Sequence, residues 1–285
     1  MVTPIQADLS GKTALVTGAT GGIGKEIARG LARFGAHVVI GARNLERGEA
    51  ARKELAAEAK GGLSVLAVDV SEASAIRVSA QEFEKQHPRL DILVNNAGAW
   101  FTDRRESRDG HELTLATNVL GPYLLTKLLE PRLRASGPAR VVNIVSAFAG
   151  DYDANDLEWK TRKWDGFKAY GQSKLALRML TWGQARRLEG SGVTANAAAP
   201  GFVKTDFNQN AHGFMAAMIG FSAKLFAVTP AKGADTPLWA AATAELAGQS
   251  GKYFDGRKEK DGKYRDAPAV DDLERRCEEL VSSRA

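Results

Sequence analysis

Tyr170-Gly-Gln-Ser-Lys174 is the stretch of this chain best suited to chemistry. A tyrosine and a lysine four residues apart lie on one face of a helix, about one turn apart. A free tyrosine titrates near ~10 and carries protons poorly at neutral pH. An ammonium beside it favours the phenolate. Two unit charges ~4 Å apart interact by about 4 kcal/mol at an effective dielectric of ~20. At ~1.4 kcal/mol per pKa unit, that lowers the tyrosine by up to about 3 and makes it a usable acid/base. Such a pair is common by chance in helices, so its meaning depends on the elements that position it.

Those elements begin with Lys12 to Thr17, a short apolar strand that runs into Gly18-Ala-Thr20-Gly21-Gly22-Ile23-Gly24. Lys25 to Phe34 follows as an amphipathic helix closed by Gly35, and His37 to Ala42 is a second apolar strand. A βαβ unit with a glycine-rich first turn is the arrangement of a dinucleotide site. Gly18, Gly22 and Gly24 let the backbone approach a pyrophosphate, while Thr20 and Ile23 sit where the helix start offers its N–H groups. NAD sites carry an acid after the second strand. Here that place holds Arg43 and Asn44, with no carboxylate before Glu46. An arginine fork suits a 2′-phosphate, so NADP is expected in preference to NAD. The plainer role for Arg43 is to close a strand end.

Strands are expected at Leu63 to Val70, Leu90 to Val94, Arg140 to Ser146 and Val193 to Ala198, with a short last one at Gly251 to Phe254. Helices alternate with them at Glu46 to Ala59, from an N-cap at Ser71, at Glu112 to Leu129, from Tyr170 to about Glu189, and at Pro230 to Leu246. This alternation predicts an α/β fold: a single doubly wound Rossmann-type domain over 1–285, with a parallel sheet of about seven strands and helices on both faces. Residues past the carboxyl ends of such strands line the ligand crevice. That rule places Asp69, Val70 and Asn95 to Gly98 there, including Asn96 and Ala97, as well as Pro200 and Gly201. The segment 206–228, rich in Met and Phe, reads as an apolar substrate flap or equally as an ordinary helix pair. Arg257 to Lys263 reads as a solvated loop within a polar C-terminal tail around 255–285 that holds a last helix, Asp271 to Ser283.

Bulk properties narrow the function classes. The net charge of +5 comes from bases mixed with acids, which argues against a nucleic-acid face. Cys277 is the only cysteine, so no internal disulfide forms, and a cytoplasmic location is expected. No apolar run approaches ~18 residues, and Met1 to Ser10 reads as neither a signal peptide nor a membrane anchor. His37, His87, His111 and His212 show no metal-ligand spacing, so no metal is expected.

Taken together these motifs resemble the short-chain dehydrogenase/reductase family over nearly the whole chain. The matches run in order: Thr17-Gly-x-x-x-Gly22-x-Gly24, Asp69, Asn95-Asn-Ala-Gly98, Asn118, Ser146, Tyr170-x-x-x-Lys174 and Pro200-Gly-x-Val203-x-Thr205. The resemblance implies that Tyr170 is the general acid/base and that Lys174 lowers its pKa and holds the nicotinamide ribose. Ser146 would bond the substrate oxygen, and Asn118 would hold a water that relays protons. Asp69 and Val70 would meet the adenine, Asn96 to Gly98 would back the adenosine, and Val203 and Thr205 would clasp the nicotinamide and phosphates. The connection from Ser146 to Tyr170 is longer than usual and holds Tyr152, Trp159, Trp164 and Phe167. Its sequence is similar to the retinol dehydrogenase-like branch, which points to lipophilic carbonyl and alcohol substrates, as in similar bacterial carbonyl and polyketide ketoreductases. That connection is expected to line the pocket. The resemblance also implies a homodimer or homotetramer joined through the helices at Glu112 to Leu129 and Tyr170 to Glu189. Two rival readings keep the fold and change the function: a dinucleotide-sensing protein without turnover, or an epimerase or dehydratase.

Overall fold

A computed structural model of the chain describes residues 3–148, 150–200 and 229–282. Its strands are β1 (Thr13–Thr17), β2 (His37–Ala42), β3 (Leu63–Ala67), β4 (Ile92–Asn95), β5 (Ala139–Ile144), β6 (Val193–Ala199), β7 (Tyr253–Asp255) and β8 (Lys258–Glu259). They form one sheet in the order β3-β2-β1-β4-β5-β6-β7-β8. Pairing is parallel throughout except for β7 with β8. The order reverses direction at β1 and β4, and in such sheets that switch point opens the ligand crevice. The eighth strand exceeds the seven expected. It falls in the charged Arg257 to Lys263 stretch, where a two-residue hairpin arm carries no apolar signal.

The central strands are apolar runs because both of their faces are covered. On one face lie α1 (Gly22–Arg33), α2 (Leu45–Ala56) and α8 (Asp235–Ala242), whose Ile27, Leu31, Leu55 and Trp239 join Val16, Ile40 and Val94 in one core. On the other lie α3 (Ala73–Gln86), α5 (Gly121–Ala135) and α6 (Gly166–Arg187). Their Phe83, Leu125, Leu129, Leu175 and Met179 pack with Leu15 and Leu93. Two short helices, α4 (Leu113–Leu115) and α7 (Pro230–Gly233), precede α5 and α8.

The C-terminal helix α9 (Ala267–Ser282) lies on the outside of α6. It buries Val270, Leu273, Cys277 and Val281, and burial pushes the Cys277 thiol up. Tyr123 Oη donates to Glu278 at 2.8 Å, and Arg187 Nη1 to Glu274 at 2.9 Å. This helix therefore covers part of the two-helix face that the resemblance makes a subunit contact. Among the described residues, no helix is long and apolar enough to cross a membrane.

Several expected boundaries move. The third strand stops at Ala67, leaving Asp69 beyond it. Ser71 does not cap α3: its N–H and hydroxyl both go to Asp69 Oδ1, and the Ala73 N–H is taken by Asp109 at 2.7 Å. The predicted helix at Glu112 to Leu129 is α4, a π-helical turn at Ala116–Leu120 and α5 in sequence. Helix α6 begins at Gly166, so Tyr170 sits in its second turn; Asp165 caps it by accepting from the Phe167 and Lys168 N–H groups at 3.1 Å.

The sheet's opposite end carries a stability device. The rings of His37, at the start of β2, and His87, after α3, lie 5.2 Å apart. His37 Nε2 is 3.0 Å from Ser64 Oγ, and His87 Nε2 is buried without a partner. Burial holds both imidazoles below their ordinary value. Their folded pKa is thus lower than the unfolded value of ~6.5, so stability is full above that pH and is lost as pH falls through it. We expect the Tm to drop between roughly pH 7 and pH 5, with a shallower drop in His87→Phe. Equal pH dependence in the two proteins would contradict this assignment.

Candidate active site

The nucleotide cradle is built from glycines at positions that disfavour any side chain. Gly18 and Gly22 have φ of 66° and 54°, left-handed values that suit glycine. A Cβ on Gly24 would lie 2.3 Å from Asn96 Nδ2 and 2.5 Å from the Gly18 carbonyl oxygen. Asn96 is the brace of this turn: its Nδ2 donates to the Thr17 oxygen at 2.9 Å. Thr17 Oγ1 in turn accepts from the Asn96 and Ala97 N–H groups at 3.0 and 3.1 Å. The N-terminal end of α1 carries no side-chain cap, and the space around Gly21 is open. Unpaired N–H groups with open space before them are what a dinucleotide pyrophosphate requires. Thr20 and Ile23 are half-buried at this turn.

The other cofactor candidates divide. Arg43 is exposed at the end of β2. Asn44, expected beside it as a ligand, uses its side chain as the cap of α2, accepting from Arg47 N at 2.8 Å. Asp69 is half-buried past β3. The Val70 carbonyl packs against Gly121, where a Cβ would approach that oxygen to 2.1 Å. Asn95 is not at the crevice: its Nδ2 donates to Thr126 Oγ1 at 2.9 Å and Asn143 Oδ1 at 2.8 Å in the buried layer under α5 and α6. Pro200 is half-buried just past β6, while Gly201, Val203, Thr205, His212 and the flap at 206–228 lie outside the described residues.

Beside the cradle, four residues from three elements converge. Tyr170 and Lys174 come from α6, Ser146 follows β5, and Asn118 sits in the π-helical turn, a form found often at functional sites. Tyr170 is hydrogen-bonded to Ser146. Lys174 is 4% exposed, its Nζ lies 5.8 Å from the Tyr170 ring centre, and it donates to the Ile144 oxygen at 2.9 Å. Asn118 is fully buried. Its Oδ1 accepts from Ala99 N at 2.7 Å, and its Nδ2 donates to the Ala99 oxygen and to Ser173 Oγ, both at 2.9 Å. Gly98 closes the group, since a Cβ there would stand 3.2 Å from Lys174 Nζ and 3.3 Å from Asn118 Oδ1.

The electrostatics correct the simple expectation for the tyrosine. Burial pushes Tyr170 up to about 12, against a smaller lowering by the Ser146 hydrogen bond. Burial also pulls Lys174 down to about 8. Desolvation disfavours both charged forms.

Two residues invisible as site members in the sequence hold this group. Ser173 accepts from Asn118 and donates to the Tyr170 backbone carbonyl at 2.7 Å, tying the π-helical turn to α6. Arg178, one turn beyond Lys174, donates to the Ser146 backbone carbonyl at 2.7 Å and stacks 3.9 Å over the Tyr253 ring. The four-residue spacing of Lys174 and Arg178 is the only trace of this in the sequence.

The connection before Tyr170 is chiefly a structural knot. Asp156 accepts from Lys160 N, Thr161 N and Oγ1, and Arg162 N at 2.7–3.1 Å. Those bonds hold its carboxyl well below the usual range. Trp159 is buried under the Arg162 guanidinium, and Trp164 Nε1 donates to the Thr102 oxygen at 3.0 Å. His111 Nδ1 lies 3.1 Å from Glu158 Oε1, a partnership its sequence position did not suggest. Only Phe148 and Phe167 among these aromatics stand exposed. Among the described residues, no group of three or more His, Cys, Asp or Glu is placed to hold a metal ion.

The family model described as short chain dehydrogenase matches residues 12–214. The chain is 40% identical over 264 residues to human retinol dehydrogenase 13, covering 90% of this chain and 80% of that protein. A crystal structure of an uncharacterised Mycobacterium paratuberculosis protein superposes with a TM-score of 0.77 at 29% identity, covering 97% and 95% of the two chains. Burkholderia cenocepacia gluconate 5-dehydrogenase, solved with NADP and tartrate, gives 0.68 at 27% identity, covering 87% and 94%. This chain belongs to the short chain dehydrogenase family, in its retinol dehydrogenase-like part. It is an oxidoreductase acting on CH–OH groups.

The Gly24 contact generates a direct test. Gly24→Ala puts a methyl into Asn96 and the Gly18 carbonyl, so dinucleotide affinity should fall at least tenfold, about 1.4 kcal/mol, while the fold survives. Calorimetric titration with NADP checks it; unchanged affinity would contradict the cradle assignment.

Proposed function

We propose that this chain is an NADP(H)-dependent oxidoreductase that interconverts a carbonyl and an alcohol on a bulky or lipophilic small molecule. The observation that carries the reading is the Ser146–Tyr170 hydrogen bond beside buried Lys174, next to a glycine cradle fit for a dinucleotide. When bound, the nicotinamide supplies or accepts the hydride. The chain's own residues do the rest. Gly18, Gly22, Gly24 and the start of α1 hold the pyrophosphate, and Asp69 and Val70 border the adenine. Arg43, exposed at the end of β2, takes a 2′-phosphate. That favours NADP, and the Burkholderia neighbour bound to NADP supports it.

Ser146 bonds the substrate oxygen and, with Tyr170, places it at one point above the end of β5. Tyr170 moves the proton to or from that oxygen. A phenol pushed up to about 12 is a neutral proton donor, which suits the reductive direction. Lys174 counters the phenolate left behind, and Asn118, fixed by Ala99 and Ser173, holds the floor of the relay. Lipophilic substrates follow from the likeness to retinol dehydrogenase 13. A cytoplasmic setting and a homo-oligomer belong to the same proposal.

Two outcomes test it. With NADPH and a panel of bulky aldehydes and ketones, Tyr170→Phe should reduce kcat by at least about 10²-fold; turnover at the wild-type rate would overturn the mechanism. Arg43→Ala should weaken NADP roughly tenfold, as loss of a charge-assisted contact worth ~1.5–3 kcal/mol requires, and leave NAD unchanged. Tighter binding of NAD than NADP in the wild type would overturn the cofactor assignment. Binding of either dinucleotide without turnover of any carbonyl would favour the sensing role instead.

A further inference from the structure

Two phenylalanines beside the acid/base are exposed where the rest of the connection's aromatics are packed. Phe148 is 39% exposed and Phe167 is 43% exposed. Their ring centres lie 4.1 Å apart with planes inclined by 30°, an offset stack. Each is held in place by the catalytic elements. Phe148 stands two residues after Ser146, and its N–H donates to Ser146 Oγ at 3.1 Å. Phe167 lies in the first turn of α6, its N–H taken by the Asp165 cap. It precedes Tyr170 by three residues and so shares its helix face.

Gly171 completes the arrangement. A Cβ there would come within 2.6 Å of Phe148 Cε1 and 2.8 Å of the Gly150 nitrogen. Glycine directly after the catalytic tyrosine therefore lets the Phe148 ring lie against α6. The stack uses a backbone concession, two fixed main-chain N–H groups and two large apolar side chains, yet it leaves both rings partly in water. The two exposed rings form an apolar face beside Ser146 and Tyr170.

We propose that Phe148 and Phe167 form a shelf that grips the apolar body of the substrate while Ser146 and Tyr170 hold its oxygen. The occupant is an extended aliphatic chain joined directly to the reacting carbonyl. This deepens the proposed carbonyl–alcohol reaction and rests on it. The shelf acts by area, so it discriminates substrates by apolar length and leaves the reacting group alone. It names the two residues of the long connection that set substrate preference, and it assigns the buried tryptophans to structure.

The experiment compares octanal with propanal, using NADPH and the full chain. Wild type should prefer octanal in kcat/KM. The double variant F148A/F167A should lose roughly tenfold to a hundredfold on octanal and change by less than about twofold on propanal. Equal losses on both aldehydes, or an unchanged preference, would overturn the shelf. Thermal melting confirms that the variant folds, and the single variants F148A and F167A serve if it melts early. A second readout needs no turnover: calorimetric binding of octanamide to the NADP-loaded protein. Octanamide binding that weakens in the variant supports the shelf even if no aldehyde reacts, and then only the oxidoreductase reading fails. Octanamide that binds both proteins alike, or does not bind wild type, overturns the shelf itself.

Discussion

Desolvation of half-buried Tyr170 and buried Lys174 is the constraint on which the rest of the site depends. A tyrosine and a lysine one helical turn apart in water would leave the phenol close to its ordinary pKa. Here both sit in the packed seam between α6 and β5, and desolvation moves the phenol up and the ammonium down. Lys174 donates to the Ile144 carbonyl at 2.9 Å and stands 5.8 Å from the centre of the Tyr170 ring. Desolvation favours the neutral, protonated phenol of Tyr170.

Holding two titratable groups in this seam requires a rigid surround, and the structure supplies one from polar bonds. Asn118 is saturated by Ala99 and Ser173, and Ser173 returns the bond to the Tyr170 carbonyl. Arg178 grips the Ser146 carbonyl from the next turn of α6. Beneath them, Asn143 donates to Thr181 and Gln184 at 2.9 and 2.8 Å and accepts from Asn95, joining β4, β5 and α6. Buried networks of this kind fix a single arrangement because each partner left alone is costly. Asn118 sits buried within the π-helical turn, a form found often at functional sites.

Much of this was legible in the sequence, for physical reasons. Apolar runs such as His37 to Ala42 and Leu90 to Val94 read as strands buried on both faces, and Gly18, Gly22 and Gly24 mark a turn that needs glycine at those three positions. The order of motifs therefore gave the doubly wound sheet and brought Asn118, Ser146, Tyr170 and Lys174 together. What the pattern did not carry is contact across the chain. Asn44 looks like a ligand and is a helix cap. Asn95 looks like a crevice residue and is spent under the sheet. Asp109 replaces Ser71 at the start of α3 because a loop from elsewhere reaches it. Trp159 and Trp164 read as pocket lining, yet Arg162 and the Thr102 carbonyl fix them in the fold. The sign of the Tyr170 shift was also hidden, since spacing reports the neighbouring charge and not the desolvation.

The most direct measurement is the ultraviolet tyrosinate titration of Tyr170, taken as wild type minus Tyr170→Phe, with and without NADP. The free protein should show no Tyr170 step at the ordinary tyrosine value of ~10, and binding NADP should bring the step down towards it. A Tyr170 that titrates at or below ~10 in the free protein, or at the same pH with and without NADP, would contradict control of the acid by burial and cofactor.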